Sequence, residues 1–294
     1  MEALRQLQQN LPPFLFDVFR LAIWLLLLLG IFVPLERFFA LRRQKVLRKA
    51  FVTDLAYYFL NSLLPRLLLV LPISMVAMVV HQLVASGFYS WQANMPLWLR
   101  FLAALTVGEV GSYWGHRWMH EIPVLWRFHA IHHSAEEMDW LVNTRAHPLD
   151  MVFTRLCGLL PIYGLGLAQP TGNELDTVPM LYVVVGTAWS FFIHANVRWR
   201  FGWLEWLIST PAFHHWHHTK DGPAYVNRNY AAIFPCVDWL FGTSYLPAKR
   251  WPGRYGIDTP TAPGLLGQLL QPFVRREKSR LAQSEPASQA VTWK

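Results

Sequence analysis

The chemistry in this chain is carried by histidine. Twelve histidines occur in 294 residues, and eleven of them fall between positions 116 and 218. His116 and His120 stand four apart in HRWMH; His129, His132 and His133 stand in HAIHH; His214, His217 and His218 repeat that triplet in HHWHH. On a helix, positions i, i+3 and i+4 share a face, so each group presents its rings together. His215 is turned about 100° from His214 and points elsewhere. His147 and His194 stand alone in the sequence, and His81 reads as an ordinary isolated histidine. Grouped imidazoles repel one another when protonated. When neutral and packed together, they leave ring nitrogens in need of partners. A metal ion supplies such a partner for each ring.

All-nitrogen donor sets suit zinc, copper, iron and nickel. A single zinc takes three or four protein ligands, fewer than the rings available here, so the count suits two metal ions. The two cysteines, Cys157 and Cys236, exclude a disulfide framework, a cysteine-based zinc ribbon and an iron–sulfur centre. Carboxylates are secondary. Glu109 lies seven residues before His116 on the same helix face, and Glu121, Glu136, Glu137 and Asp139 flank the clusters. Such residues fit the orienting of imidazole N–H groups, although Glu136 and Glu137 read as solvated helix ends.

The elements that must position these rings are apolar. Hydrophobic residues make up 53% of the chain and charged residues 15%, against roughly 25% charged in an average soluble domain. That balance excludes disorder, a coiled coil and a nucleic-acid-binding tail. The formal charge of +8 reads as membrane-facing. Apolar runs at 14–35, 55–80, 97–114, 151–168 and 178–195 are of membrane-spanning type. The expected fold is an all-α, polytopic membrane bundle of four to five spans, with a helical cap carrying the dimetal site. Segment 36–49 holds Arg37, Arg42, Arg43, Lys45, Arg48 and Lys49, whereas 81–96 and 169–177 hold no Lys or Arg. By the positive-inside rule, 36–49, 115–150 and 197–294 face the cytoplasm. The expected organisation is an N-terminal membrane region at 1–95, a histidine-bearing domain at 96–246 and a basic cytoplasmic tail at 247–294, solvated beyond 264.

With these motifs the chain resembles the fatty acid hydroxylase/sterol desaturase superfamily of membrane non-haem di-iron enzymes. The likeness runs from about 109 to 246 through YWGHRWMHEIPVLWRFHAIHHSAEE, FFIHANVRW, LEWLISTPAFHHWHH, NRNY and DWLFGTSY. HHSAEEMDWLVNTR and the STP lead-in look most like the alkylglycerol monooxygenase and bacterial sterol desaturase-like branch. The resemblance implies iron ligands at His116, His120, His129, His132, His133, His194, His214, His217 and His218. It adds His147, in RAHP, as a further candidate; its other reading is a helix-start residue before Pro148. Relatives commonly carry Arg at position 215, which speaks against a ligand there. Asn229, Tyr230 and Asp238, like Glu109, would support the ligands or the fold.

The activity implied is O2-dependent hydroxylation or desaturation of a lipid C–H bond at two ferrous ions. The substrate would come from the bilayer. Electrons would come from an external donor, a redox protein or a pterin, because no haem-binding or ferredoxin segment is fused in these residues. Two other classes compete. A membrane-embedded dinuclear zinc hydrolase needs a positioned acid/base and a polar pocket. A metal transporter needs ionisable ligands in mid-span, whereas these histidines sit at the ends of the runs.

Overall fold

The computed structural model describes residues 11–83, 91, 94–168 and 177–274, and every regular element in them is helical. The long helices are α1 (Pro13–Phe38), α2 (Phe51–Leu83), α3 (Leu97–Glu121), α5 (Pro148–Gly164) and α6 (Thr177–His194). Shorter ones are α4 (Pro123–His133), α7 (Pro211–His217), α8 (Pro235–Leu240) and α9 (Gly264–Leu270). Proline sets several of the starts: Pro123, Pro148, Pro211 and Pro235 open α4, α5, α7 and α8, where a missing N–H costs nothing.

Among the described residues, three helices are long and apolar enough to cross a membrane: Pro13–Phe38, Phe51–Val80 and Thr177–His194. Their outward faces are bare hydrocarbon, including Trp24, Leu26 and Ile31 on α1, Leu67, Leu71 and Met75 on α2, and Met180 and Val184 on α6. The expected runs at 97–114 and 151–168 form α3 and α5, which are not among those three. They carry buried polar groups such as Arg100 and Glu109 in α3 and Asp150 in α5, and they pack against each other. The segment 169–176 and most of 81–96, used above for orientation, lie outside the described residues.

Small residues fix the pairing of α3 with α5. A Cβ on Gly111 would sit 2.1 Å from the Cys157 carbonyl oxygen, and one on Gly115 would sit 2.7 Å from the Cys157 Cβ. Opposite them, a Cβ on Gly158 would sit 2.4 Å from the Ser112 Oγ. Helices in apolar surroundings associate through such small-residue contacts, which let the backbones approach.

The histidine-bearing cap lies at one end of the bundle. There α1 is ending, α2 is beginning, α3 and α6 are ending and α5 is beginning. Phe32 of α1 stacks on Trp140, 5.7 Å between centroids, within an apolar cluster that includes Phe191 of α6. A buried charge network anchors the segment 139–146 to the start of α2. Arg48 bonds Asp139 and Asp54, Arg145 bonds Asp54, and the Asn61 side chain donates to the carbonyls of Thr144 and Ala146. Arg48, counted above among the orienting charges, is thus an internal structural cation.

The stretch expected as a tail packs on the cap both before and just after 264. Beyond 247, Tyr255 is buried, Trp251 packs edge-on against His215, and α9 is followed by a 3-10 turn at Gln271–Phe273 whose Phe273 packs on Phe128. This stretch covers the cap with scattered aromatic contacts that have no period. Residues 275–294 lie outside the described residues.

Candidate metal centre

Nine histidines from four elements converge into two adjoining groups. His116, His120, His129, His133 and His217 form one; His132, His194, His214 and His218 form the other. Within each group, one ring nitrogen per residue lies within 4.8 Å of all the others. The i, i+3, i+4 spacing divides the triplets: on α4, His129 and His133 face the first group and His132 the second, and around α7, His217 faces the first while His214 and His218 face the second. The groups touch where His133 and His218 stack, 4.4 Å between centroids.

Hydrogen bonds fix the tautomers. The Nδ1–H groups of His116, His132, His194 and His217 donate to the carbonyls of Tyr230, Arg145, Ser190 and Arg228 at 2.7–2.9 Å. A carbonyl only accepts, so the Nε2 atoms of these four neutral rings carry lone pairs and no hydrogen. His129 Nδ1 donates to Asp150 at 2.8 Å, and His120 Nδ1 to Asn227 Oδ1 at 3.1 Å. Yet Nε2 meets Nε2 at 3.2 Å between His132 and His194, and at 3.0 Å between His116 and His129. Two lone pairs that close repel unless a cation lies between them. Two imidazoles at a right angle on a metal with bonds of about 2.1 Å stand about 3.0 Å apart, the spacing seen here. His120 Nε2 and His217 Nε2 are moreover buried with no hydrogen-bond partner. The donor set therefore fits two bound metal ions.

The rings are held neutral. Burial, reinforced by the neighbouring imidazoles, pushes His133, His217 and His218 well below the usual histidine range, and burial lowers His132 to about 4. Neutral imidazole is the form that ligates metal.

Three residues expected to support the ligands act on one loop. Glu109 Oε1 accepts from the backbone N–H groups of Ile233 and Phe234. Asp238 accepts from those of Tyr230 and Ala231 and from the Thr243 hydroxyl. Asn229, at φ 58°, donates to the carbonyls of Phe213 and Tyr245. That loop supplies Asn227 to His120 and the carbonyls of Arg228 and Tyr230 to His217 and His116. The influence on the rings thus passes through the backbone.

His147 does not join either group. Its Nδ1 accepts from Leu149 N–H as the cap of α5, and its Nε2 donates to the Leu269 carbonyl. It stands at the start of that helix, immediately before Pro148. His215 is fully buried and turned away from both groups, donating from Nε2 to the Ala195 carbonyl and bonding the Tyr255 hydroxyl through Nδ1. Sequence reasoning missed Asp150 as a histidine partner, although a carboxylate three residues after His147 at a helix start was a usable signal. It also missed the backbone carbonyls, which have no sequence signature.

A cavity of about 230 Å3 runs from the two groups into the bundle. His116 and His129 of one group and His132, His194 and His214 of the other lie on its wall. Leu159, Tyr182 and Val183 continue it between α5 and α6, and Val183 and Thr187 are exposed on the bundle's outer face.

An all-helical protein with membrane-type helices and a two-part, all-imidazole metal centre at one end of its bundle is the class that fold and site define. Residues 101–243, just under half of the chain, match the fatty acid hydroxylase family. It is similar to the ornithine lipid hydroxylase OlsE of Rhizobium tropici, 34% identical over 72% of this chain and 61% of that protein. It is similar also to alkylglycerol monooxygenase of Xenopus tropicalis, 28% identical over 58% of this chain and 34% of that protein. A very-long-chain aldehyde decarbonylase of Oryza sativa, GL1-5, is 27% identical over 51% of this chain and 25% of that protein. The chain therefore spans about three fifths of the first relative, about a third of the second and a quarter of the third. No solved structure matches it.

Proposed function

We propose that this protein is a membrane di-iron oxygenase that uses O2 to hydroxylate, or desaturate, a C–H bond of a lipid. The observation that carries the reading is the pair of adjoining imidazole groups opening on a cavity walled by apolar helices. The three relatives act, by their names, on an ornithine lipid, an alkylglycerol and a very-long-chain aldehyde. His116, His120, His129, His133 and His217 would hold one iron; His132, His194, His214 and His218 would hold the other. Two ferrous ions bound there would supply the reductive activation of O2 needed to attack an unactivated C–H bond.

The chain's own residues do the rest. Carbonyls lock His116, His132, His194 and His217, and Asp150 locks His129, in the tautomer that presents Nε2. Glu109, Asp238 and Asn229 hold the loop behind two of those carbonyls. Leu159, Val183 and Ile193 exclude water and admit a lipid from the side. An external redox protein or pterin would supply electrons, and the site would face the cytoplasm. No carboxylate belongs to either group among the described residues, which disfavours a hydrolase built around a metal-bound acid/base.

Lipid profiling of membranes from an expressing strain and from one expressing His217→Ala tests the reading. A lipid heavier by one oxygen atom, or lighter by two hydrogens, is expected only with the intact protein and only under air. Turnover under strict anoxia would contradict it.

A further inference from the structure

We infer that Arg155 anchors an anionic oxygen group of the lipid substrate, a carboxylate or a phosphate, so that the carbon attacked lies near the headgroup end of the molecule. The inference deepens the oxygenase reading and takes its reaction from it. Arg155 lies on α5 and lines the cavity that opens on both imidazole groups. Its guanidinium makes no hydrogen bond and no ion pair with any described residue. The other internal arginines are engaged: Arg48 and Arg145 are tied to Asp54 and Asp139, and Arg200 to Glu205. Both carboxylates that share the cavity are engaged elsewhere: Glu109 Oε1 accepts from two backbone N–H groups, and Asp150 accepts from His129 Nδ1 and the Thr154 hydroxyl. A cation inside an apolar bundle is costly without a partner and marks a pathway or binding place when none is built in.

The surroundings suit a headgroup. Besides apolar wall, the cavity presents Asn143, Thr154, Thr187 and Ser190. Its volume of about 230 Å3 gives room for a headgroup or a short acyl segment. Guanidinium is the side chain that grips carboxylate or phosphate with two parallel hydrogen bonds. Distance sets the regiochemistry. Asp150, which holds His129, precedes Arg155 by five residues on the same helix, about 7.5 Å along the axis. An anion at Arg155 therefore leaves only a few bonds between it and a carbon beside the imidazoles.

The test is binding without turnover. Iron-loaded full-length protein in nanodiscs of zwitterionic lipid, kept under argon, is titrated with stearate, octadecyl phosphate and octadecanol. The wild type is expected to bind at least one anion about tenfold or more tighter than the alcohol, and the stronger of the two identifies the headgroup chemistry. Arg155→Gln should lose that preference while keeping octadecanol affinity and iron content, and Arg155→Lys should regain part of it. Equal affinity of the wild type for all three probes would overturn the inference, as would undiminished preference in Arg155→Gln. If Arg155→Gln loses iron, the wild-type preference and its weakening in Arg155→Lys decide. The oxygenase reading stands or falls separately, on O2-dependent product: a protein that oxidises lipid yet ignores charge keeps its reaction and loses the anchor.

Discussion

At the scale of single residues, two neighbours on one short helix have opposite fates. His217 turns into the five-membered group, while His215 is buried against Ala195 and Tyr255. His217→Ala should cost a metal equivalent and essentially all activity. His215→Gln should keep the full metal content and most activity while lowering the melting temperature, since two hydrogen bonds of about 1 kcal/mol each are disturbed. Metal analysis and thermal unfolding of both variants check this. Asp150 acts at one remove. Asp150→Ala leaves nine imidazoles in place but takes the acceptor from His129 Nδ1, and iron affinity should fall by about ten- to a hundredfold, read by chelator competition.

At the scale of elements, the decisive contact is the approach of α3 to α5, because α3 carries His116 and His120 and α5 carries Asp150. Gly111→Ala puts a methyl group against the Cys157 carbonyl and should cost about 1–3 kcal/mol through forced separation of the helices, with loss of metal. Gly30→Ala, in α1 with nothing within 4 Å of the new atom, should be neutral or stabilising, as Ala for Gly gains up to about 1 kcal/mol in a helix. Denaturation midpoints of the two variants in the same detergent check the contrast.

The histidine faces were legible in the sequence because a 3.6-residue period places i, i+3 and i+4 together whatever the helix packs on. The division of each triplet between two groups was not, since it depends on where α4 and α7 lie relative to α3 and α6. His147 shows the same limit: RAHP allows a ligand or a cap, and only the placement of Leu149 and Leu269 decides. The apolar runs gave the helices, but not which of them are apolar enough to cross a membrane; the buried Arg100, Glu109 and Asp150 set α3 and α5 apart. The closing stretch 251–273 was illegible because its Trp251, Tyr255 and Phe273 contacts follow no period.

At the scale of the whole molecule, stability should depend on acid. His132 and His215 have their ring pKa values lowered by burial to about 4, from a usual value near 6.5. The unfolded chain therefore binds more protons than the folded one between these values, and stability falls as pH drops from about 6.5 toward 4. Metal release accompanies the loss, because protons and metal compete for the same nitrogens. Melting temperature and retained iron measured across that range should decline together, and a flat profile would contradict the neutral-imidazole core. The most direct test of the central claim, that the two imidazole groups hold two iron ions, is elemental analysis of full-length protein purified without oxygen from iron-supplemented cells. About two irons per chain are expected, one for each group. One zinc per chain, unchanged by iron supply, would contradict it.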